Sequence, residues 1–199
     1  MRLPFRRTWQ SWTTDRRSRR DLATLLEFLD GKSVAIVGNA TSLLSHQYGS
    51  LIDEHEVVVR MNRAFPRDPV AQGTRFDLWC FSGFRAALNP PRGFVVPTSV
   101  WMSHKRMKPG KVGHDCIFYP RSYLRTLHDR LGARPSVGAL TVDLISRAAP
   151  RAVTVIGFDF KRTGTFYQNV NHIGPHDFSA EERYVMEVVK QRSWRFVET

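Results

Sequence analysis

The stretch 170–185, "VNHIGPHDFSAEERYV", holds two histidines, His172 and His176, four positions apart. That spacing would put both rings on one helical face. Gly174 and Pro175 between them interrupt any helix, and no glutamate follows as in His-Glu-x-x-His, so the pair does not read as a zinc site. Ser179 with Glu182 three residues on reads as a capping box that opens a last helix. His176 lies in the approach to that helix, where the positive end of the helix dipole disfavours an imidazolium. A neutral imidazole there is suited to take a proton near neutral pH.

Phosphate chemistry is suggested at "VGNATS", residues 37–42. Gly38 allows a sharp turn after an apolar run, Asn39 adds an amide, and free N–H groups at the start of a following helix offer an anion site. Thr41 or Ser42 as an ordinary N-cap explains the same residues. Neither G-x-G-x-x-G nor G-x-x-x-x-G-K-[ST] is present, so neither a dinucleotide nor a triphosphate site is indicated. "VVVRMNRA" (57–64) ends a strand in Arg60 and Asn62, as a ligand site or a solvated strand end would. "RPSVGALTVDLI" (134–145) puts Ser136 at a helix N-cap and Gly138 in the first turn. A glycine there costs helix stability, about 1 kcal/mol, and makes sense where something must lie close to the backbone. No two aspartates stand two positions apart, so the chain lacks the Asp-x-Asp pair that commonly holds a metal on a nucleoside diphosphate. A donor with one phosphate needs no such clamp.

These groups need a frame that brings strand ends together. An apolar helical face at 22, 25, 26 and 29, ended at Asp30-Gly31, gives a helix that docks on the domain. Strands are expected at 34–38, 56–62, 76–81, 94–102, 116–120 and 152–160. Helices are expected at about 42–52, 122–132, 136–150 and 179–192. Short continuous apolar runs between helices favour parallel strands buried on both faces. Right-handed crossovers then give an α/β three-layer sandwich with a mostly parallel sheet, whose ligands sit beyond the carboxyl ends of the strands. That rule selects Gly38 to Ser42, Arg60 to Arg63, and Gly157 onward. The segment 82–114, with its prolines and lysines, has no clear periodicity.

The chain has 199 residues, 42% of them apolar, which suits one globular domain with its own core. We expect a basic tail and docking helix over 1–30 and one catalytic domain over 31–199. The formal charge is +12, and seven arginines against Asp15 put +6 of it in the first twenty residues. Leu3, Phe5, Trp9 and Trp12 interleave with those arginines. An anionic membrane surface, a frayed soluble terminus and a nucleic-acid tail are the three readings of that segment. No run approaches the roughly 18 apolar residues of a membrane span, and no signal-peptide core is seen. Cys80 and Cys116 lack Cys-x-x-Cys spacing and are expected to be reduced. The expected location is the bacterial cytoplasm, at the inner face of the membrane where the tail touches it.

In this order the segments resemble the sialyltransferases of glycosyltransferase family 29. "SVAIVGNATSLLSHQYGSLIDEHEVVVRMNRA" (33–64) is similar to the large sialyl motif, with its Val-Gly-Asn start, its Tyr-Gly-x-x-Ile-Asp centre and its Arg-Met-Asn end. "RPSVGALTVDLISRAAPRAVTVIGFDF" (134–160) is similar to the small motif, and "HDFSAEE" (176–182) to the very-small motif, a histidine followed by four residues and a glutamate. The resemblance implies a Rossmann-like fold of the GT-A variant type. It implies a CMP-activated acidic sugar, sialic acid or Kdo, moved with inversion onto a glycan hydroxyl, with no metal or other cofactor. Gly38, Asn39, Thr41, Arg60 and Asn62 would bind the donor, Asn39 and Asn62 at its phosphate and nucleoside. Ser136, Val137 and Gly138 would line its pocket, and His176 would be the base.

Two departures from the animal members stand out. Neither of the first two blocks holds the cysteine that bridges them in those proteins, and the family's separate histidine motif lies well upstream of the catalytic histidine whereas His172 is only four residues before His176, so either His172 takes that motif's phosphate-stabilising role or the motif is missing. The partners implied are the CMP-sugar and a glycan of a capsule or lipopolysaccharide. Other classes of function are a degenerate homologue that keeps only the nucleotide pocket and a nucleic-acid-binding domain. No nucleic-acid motif is seen, so nucleic acid is not an expected partner.

Overall fold

The computed structural model describes residues 21–82, 98–103, 116–167 and 174–199. The basic tail 1–20, most of the segment 82–114 and His172 lie outside the described residues.

Among the described residues seven strands form one sheet in the order β5-β4-β3-β2-β1-β6-β7, and every strand pairing is parallel. The strands are β1 (Ser33–Val37), β2 (Val57–Met61), β3 (Leu78–Phe81), β4 (Thr98–Trp101), β5 (Ile117–Phe118), β6 (Ala152–Ile156) and β7 (Arg195–Val197). The α/β sandwich expected from the apolar runs is the fold observed. Alternation along the strands sorts the core into two faces. Val34, Ile36, Val57, Val59 and Met61 join one apolar cluster under the long helices, while Ala35, Val37 and Val58 join another on the opposite face.

The first face is covered by α1, described over 21–29, together with α4 (Arg121–Leu131), α5 (Val137–Ser146) and α6 (Phe178–Gln191). Leu22, Leu25 and Leu29 of α1 are buried as their spacing predicts. Asp30 then fastens the end of that helix to the chain after α5 by accepting a hydrogen bond from Ala149 N at 2.7 Å. Gly132 ends α4 in the left-handed conformation at φ 66°. Among the described residues no helix is long and apolar enough to cross a membrane.

The second face departs from expectation. In place of one helix over 42–52 the chain makes a 3-10 turn (Thr41–Ser45) and a short helix α2 (Gly49–Asp53). A Cβ on Gly49 would lie 1.9 Å from the Pro69 carbonyl oxygen, so the α2 start is pressed onto α3 (Pro69–Gln72) and cannot run on from the turn. Neither Thr41 nor Ser42 is an N-cap; Ala40 takes that position without a side-chain bond. The capping box at Ser179 and Glu182 is also not formed. Asp177 caps α6 two residues earlier by accepting from Ala180 N at 2.9 Å, and Glu182 pairs with Arg162 instead.

Crossovers run to one side from β1 to β2 and beyond, and to the other at β6, so β1 and β6 form the switch point of the sheet. There Gly38 N donates to Ile156 O at 2.7 Å, and a Cβ on Gly38 would lie 2.0 Å from the Gly157 carbonyl oxygen. Gly38→Ala is therefore expected to destabilise the fold by about 3 kcal/mol or more. Gly31→Ala, in open space at φ 71°, should lose only about 1–2 kcal/mol. Denaturant unfolding of the two variants beside the wild type checks the contrast.

Candidate functional site

A cavity of about 230 Å³ opens beyond the carboxyl ends of β1, β2, β3 and β6. Gly38, Asn39, Asn62, Ser136, Val137, Gly138 and His176, all singled out from the sequence, line it together. Two others do not. Thr41 does not line the cavity, and its N–H donates to Gly164 O at 2.9 Å. Arg60 shares strand parity with Val58, so its side chain lies on the opposite face of the sheet from Met61. It is 1% exposed and donates to Gln72 O at 2.6 Å and Arg75 O at 2.8 Å. Burial brings its pKa down to about 10 against the opposing pull of Asp53 and Asp77. Arg60 ties β2 to α3 and does not reach the cavity.

The floor is built from strand ends. Asn62 follows β2 in the left-handed region at φ 51°, a conformation asparagine tolerates better than most residues. Its backbone is held by Cys80 O and the Trp79 indole, and its Oδ1 accepts from Ser82 N at 3.2 Å. Asn39 donates from Nδ2 to the Tyr167 hydroxyl at 2.8 Å. Burial raises the pKa of that hydroxyl, while donors from Asn39, the Arg63 backbone and Asn62, with the Arg63 charge, pull it the other way. The Arg63 guanidinium also sits 5.6 Å from the centre of the Tyr167 ring, within cation–π range. Tyr167 thus bridges the ends of β1 and β2.

One wall carries two helix starts side by side. Ser136 caps α5 by accepting from Ala139 N at 3.2 Å, as its position predicts. Its hydroxyl and its backbone N–H both donate to Glu181, at 2.5 and 2.6 Å. Glu181 is 4% exposed in the first turn of α6. Burial raises its pKa above the ordinary 4.5, against the lowering pull of the two Ser136 bonds, and Asp177 adds to the rise. Gly138 has its close neighbour within the protein: a Cβ there would stand 3.2 Å from the Phe158 ring.

His176 sits just before the Asp177 cap, its Nδ1 2.7 Å from the Arg134 carbonyl oxygen. A carbonyl only accepts, so Nδ1 carries the proton and Nε2 of the neutral ring holds the lone pair. A Cβ on Gly174 would meet the His176 ring at 2.7 Å, so the glycine is needed for the ring to lie where it does. The arrangement brings an imidazole of fixed tautomer, the side-chain amides at two strand ends and two helix N-termini into one cavity. Among the described residues no three His, Cys, Asp or Glu side chains are grouped to hold a metal ion.

Tyr167 and Lys161 line the cavity but were not among the sequence candidates; Glu181 lines it too and is the glutamate of the histidine-x4-glutamate pattern at 176–181, without a role assigned to it there. A charge four residues before Val185, on the buried stripe of α6, is the signal that marks Glu181. Tyr167 and Lys161 lie in the loop after Gly157, a place the strand-end rule selects without choosing residues within it.

Comparison with known proteins gives a model of glycosyltransferase family 29 (sialyltransferase) that matches residues 24–70. Over 32 residues the chain is 59% identical to a beta-1,6-galactosyltransferase of Arabidopsis thaliana; the match spans 16% of this chain and only 8% of the plant protein. The structure is similar to a mammalian sialyltransferase in complex with Gal-beta-1-3GalNAc-ortho-nitrophenol, with a TM-score of 0.62 and 18% identity over 94% of this chain and 85% of that one. A second mammalian sialyltransferase structure aligns with a TM-score of 0.60 and 17% identity over 94% and 84% of the two chains. At such identities the likeness shows the fold: a mostly parallel seven-stranded sheet flanked by helices.

The raised pKa of Glu181 carries a prediction about stability. Just above pH 4.5 the folded carboxyl keeps a proton that the unfolded one has released, so the native state loses stability as pH rises through that window. Glu181→Gln should remove that slope. Urea unfolding of both proteins from pH 4.5 to 7 measures it, and parallel curves would refute it.

Proposed function

We propose that the chain is an inverting, metal-independent glycosyltransferase that moves an acidic sugar, sialic acid or Kdo, from its CMP-activated form to a glycan hydroxyl. The observation that carries this reading is the hydrogen bond from His176 Nδ1 to the Arg134 carbonyl, which assigns the lone pair to Nε2 in the cavity that holds Asn39, Asn62 and Ser136. The family match over 24–70 and the sialyltransferase-like fold support it. The plant relative is named for galactose, so sequence likeness speaks for sugar transfer more directly than for the sugar moved.

In the proposed reaction the acceptor hydroxyl gives its proton to His176 Nε2 as its oxygen attacks the anomeric carbon. The bond from that carbon to the CMP phosphate oxygen breaks on the opposite face, and the phosphate leaves with the electron pair. One displacement inverts the centre. The Arg134 carbonyl steadies the imidazolium that forms, while the Asn39 and Asn62 amides and the α5 start face the charge growing on the phosphate. The base and the set of donors are each worth about two or more orders of magnitude in rate.

The same proposal places the protein in the bacterial cytoplasm, with its basic N-terminal residues at an anionic membrane surface and a capsule or lipopolysaccharide glycan as acceptor. The test is incubation with CMP-sialic acid, CMP-Kdo and a nucleoside-diphosphate galactose, with candidate acceptors, with and without a chelator. Release of CMP that survives the chelator is the expected result. His176→Ala should lower kcat by about 10²–10⁴-fold and leave CMP affinity within about threefold. Turnover of the galactose donor alone, or wild-type activity in His176→Ala, would overturn the reading. CMP binding without turnover would favour a nucleotide-binding homologue.

A further inference from the structure

We propose that Lys161 is the anion-recognition residue of the cavity, its ammonium receiving an oxyanion of the bound donor, the phosphate of the nucleotide or the carboxylate of the sugar. This rests on the CMP-sugar reading and adds to it the residue that holds the donor's anionic charge. The likeness over 24–70 does not reach Lys161.

The loop after β6 is shaped around this side chain. Phe160 and Lys161 are consecutive non-glycine residues in the left-handed region, at φ 52° and 68°. Two such residues in a row are disfavoured, and strain of this kind persists only where its surroundings hold it. Asp159, 7% exposed, does the holding: its carboxylate accepts from Lys161 N at 2.9 Å, from Thr163 N at 2.6 Å and from the Thr163 hydroxyl. The turn sends successive side chains in different directions. Arg162 goes outward to Glu182, at 2.5 Å, whereas Lys161 lines the cavity and its Nζ donates to the Thr165 hydroxyl.

Thr165 is buried and bridges to Ala40, next to Asn39. The ammonium is therefore drawn to the switch point between β1 and β6, where the amide donors of the floor begin. Among the described residues it has no carboxylate partner, since Asp159 is already saturated by donors of its own loop. Partial burial lowers the pKa of Lys161 even with Asp159 nearby to raise it, the mark of a cation short of compensation. A neutral partner on a half-covered ammonium leaves two of its three N–H donors for a ligand. A point charge with rotatable donors accepts either a phosphate or a carboxylate oxygen.

The test measures binding of inorganic phosphate, cytidine, CMP and CMP-sialic acid to the full chain as wild type, Lys161→Met and Lys161→Arg, with melting temperatures to show that each variant is folded. Lys161→Met should weaken phosphate-containing or carboxylate-containing ligands by about tenfold or more, leave cytidine unchanged, and be largely rescued by arginine. A loss already complete for CMP identifies the phosphate as the group held. A loss confined to CMP-sialic acid identifies the carboxylate. If Lys161→Met binds all four as the wild type does, or the wild type binds none of the anions, the proposal is overturned. If phosphate binds through Lys161 while CMP and CMP-sialic acid do not bind the wild type, the anion site stands and the CMP-sugar reading falls.

Discussion

The site depends first on how closely two backbones can approach. Where β1 and β6 end side by side, the room for a Cβ on Gly38 is already filled by the Gly157 carbonyl, and Gly157 itself turns at φ 74°. Only glycine permits that approach, and it makes the chain diverge sharply beyond it. One branch becomes the Asn39 turn and the other the Phe158–Lys161 loop, and the cavity lies between the branches and the helix starts. Three backbone contacts then rejoin them: Ala40 N to Gly157 O, Thr41 N to Gly164 O and Phe166 N to Asn39 O. Separation at the glycines and reclosure at 164–166 bring Tyr167 and Lys161 to the floor.

A second constraint orders the opposite wall. Helices α5 and α6 begin beside each other, and each start exposes N–H groups that need acceptors. Asp177 serves α6 and Ser136 serves α5, while Glu181 accepts both donors that Ser136 has to give. Arg134, two residues before Ser136, supplies the carbonyl that fixes the His176 ring, and His176 immediately precedes the α6 cap. Segment 134–136 is thus held from both sides of α6, by the ring before the helix and the carboxyl inside it. The orientation of the proposed base and the seating of α5 follow from the same few bonds.

The parts of this arrangement that a sequence can express were legible in it. Parallel strands followed from continuous apolar runs, and Ser136 followed from its place before an apolar helix. The strand-end rule brought Asn39, Asn62 and His176 to one cavity. What was not legible depended on parity and on loops. Arg60 lies inside β2 and points to the face opposite Met61, whereas Asn62, two residues on, is past the strand end and turns at φ 51° into the cavity, so nearness in the chain does not put the two side chains together. Thr41 was lost because the 3-10 turn takes its N–H to the Gly164 carbonyl, a contact between residues 123 positions apart that no local pattern records. The capping box failed for a plainer reason: Asp177 offers a carboxylate earlier, and the helix starts where it is first capped. Strand β7, three residues long, is too short to show alternation.

Two buried acids stand in the wall of the cavity proposed to receive an anion, and neighbouring donors offset both. The Asp159 carboxylate is turned into its own loop, where backbone and hydroxyl donors of 161 and 163 surround it. Glu181 is directed at Ser136, whose hydroxyl and backbone N–H both donate to it. Both acids are thereby consumed as acceptors within the protein, and their fields at the cavity are offset by the donors they bind. The donors on the other side are matched less fully: among the described residues the Thr165 hydroxyl is the hydrogen-bond partner of the Lys161 ammonium, and the helix starts keep N–H groups beyond those their caps satisfy. In the proposed reaction those donors are what would draw the single phosphate of the donor toward Lys161 and the helix starts.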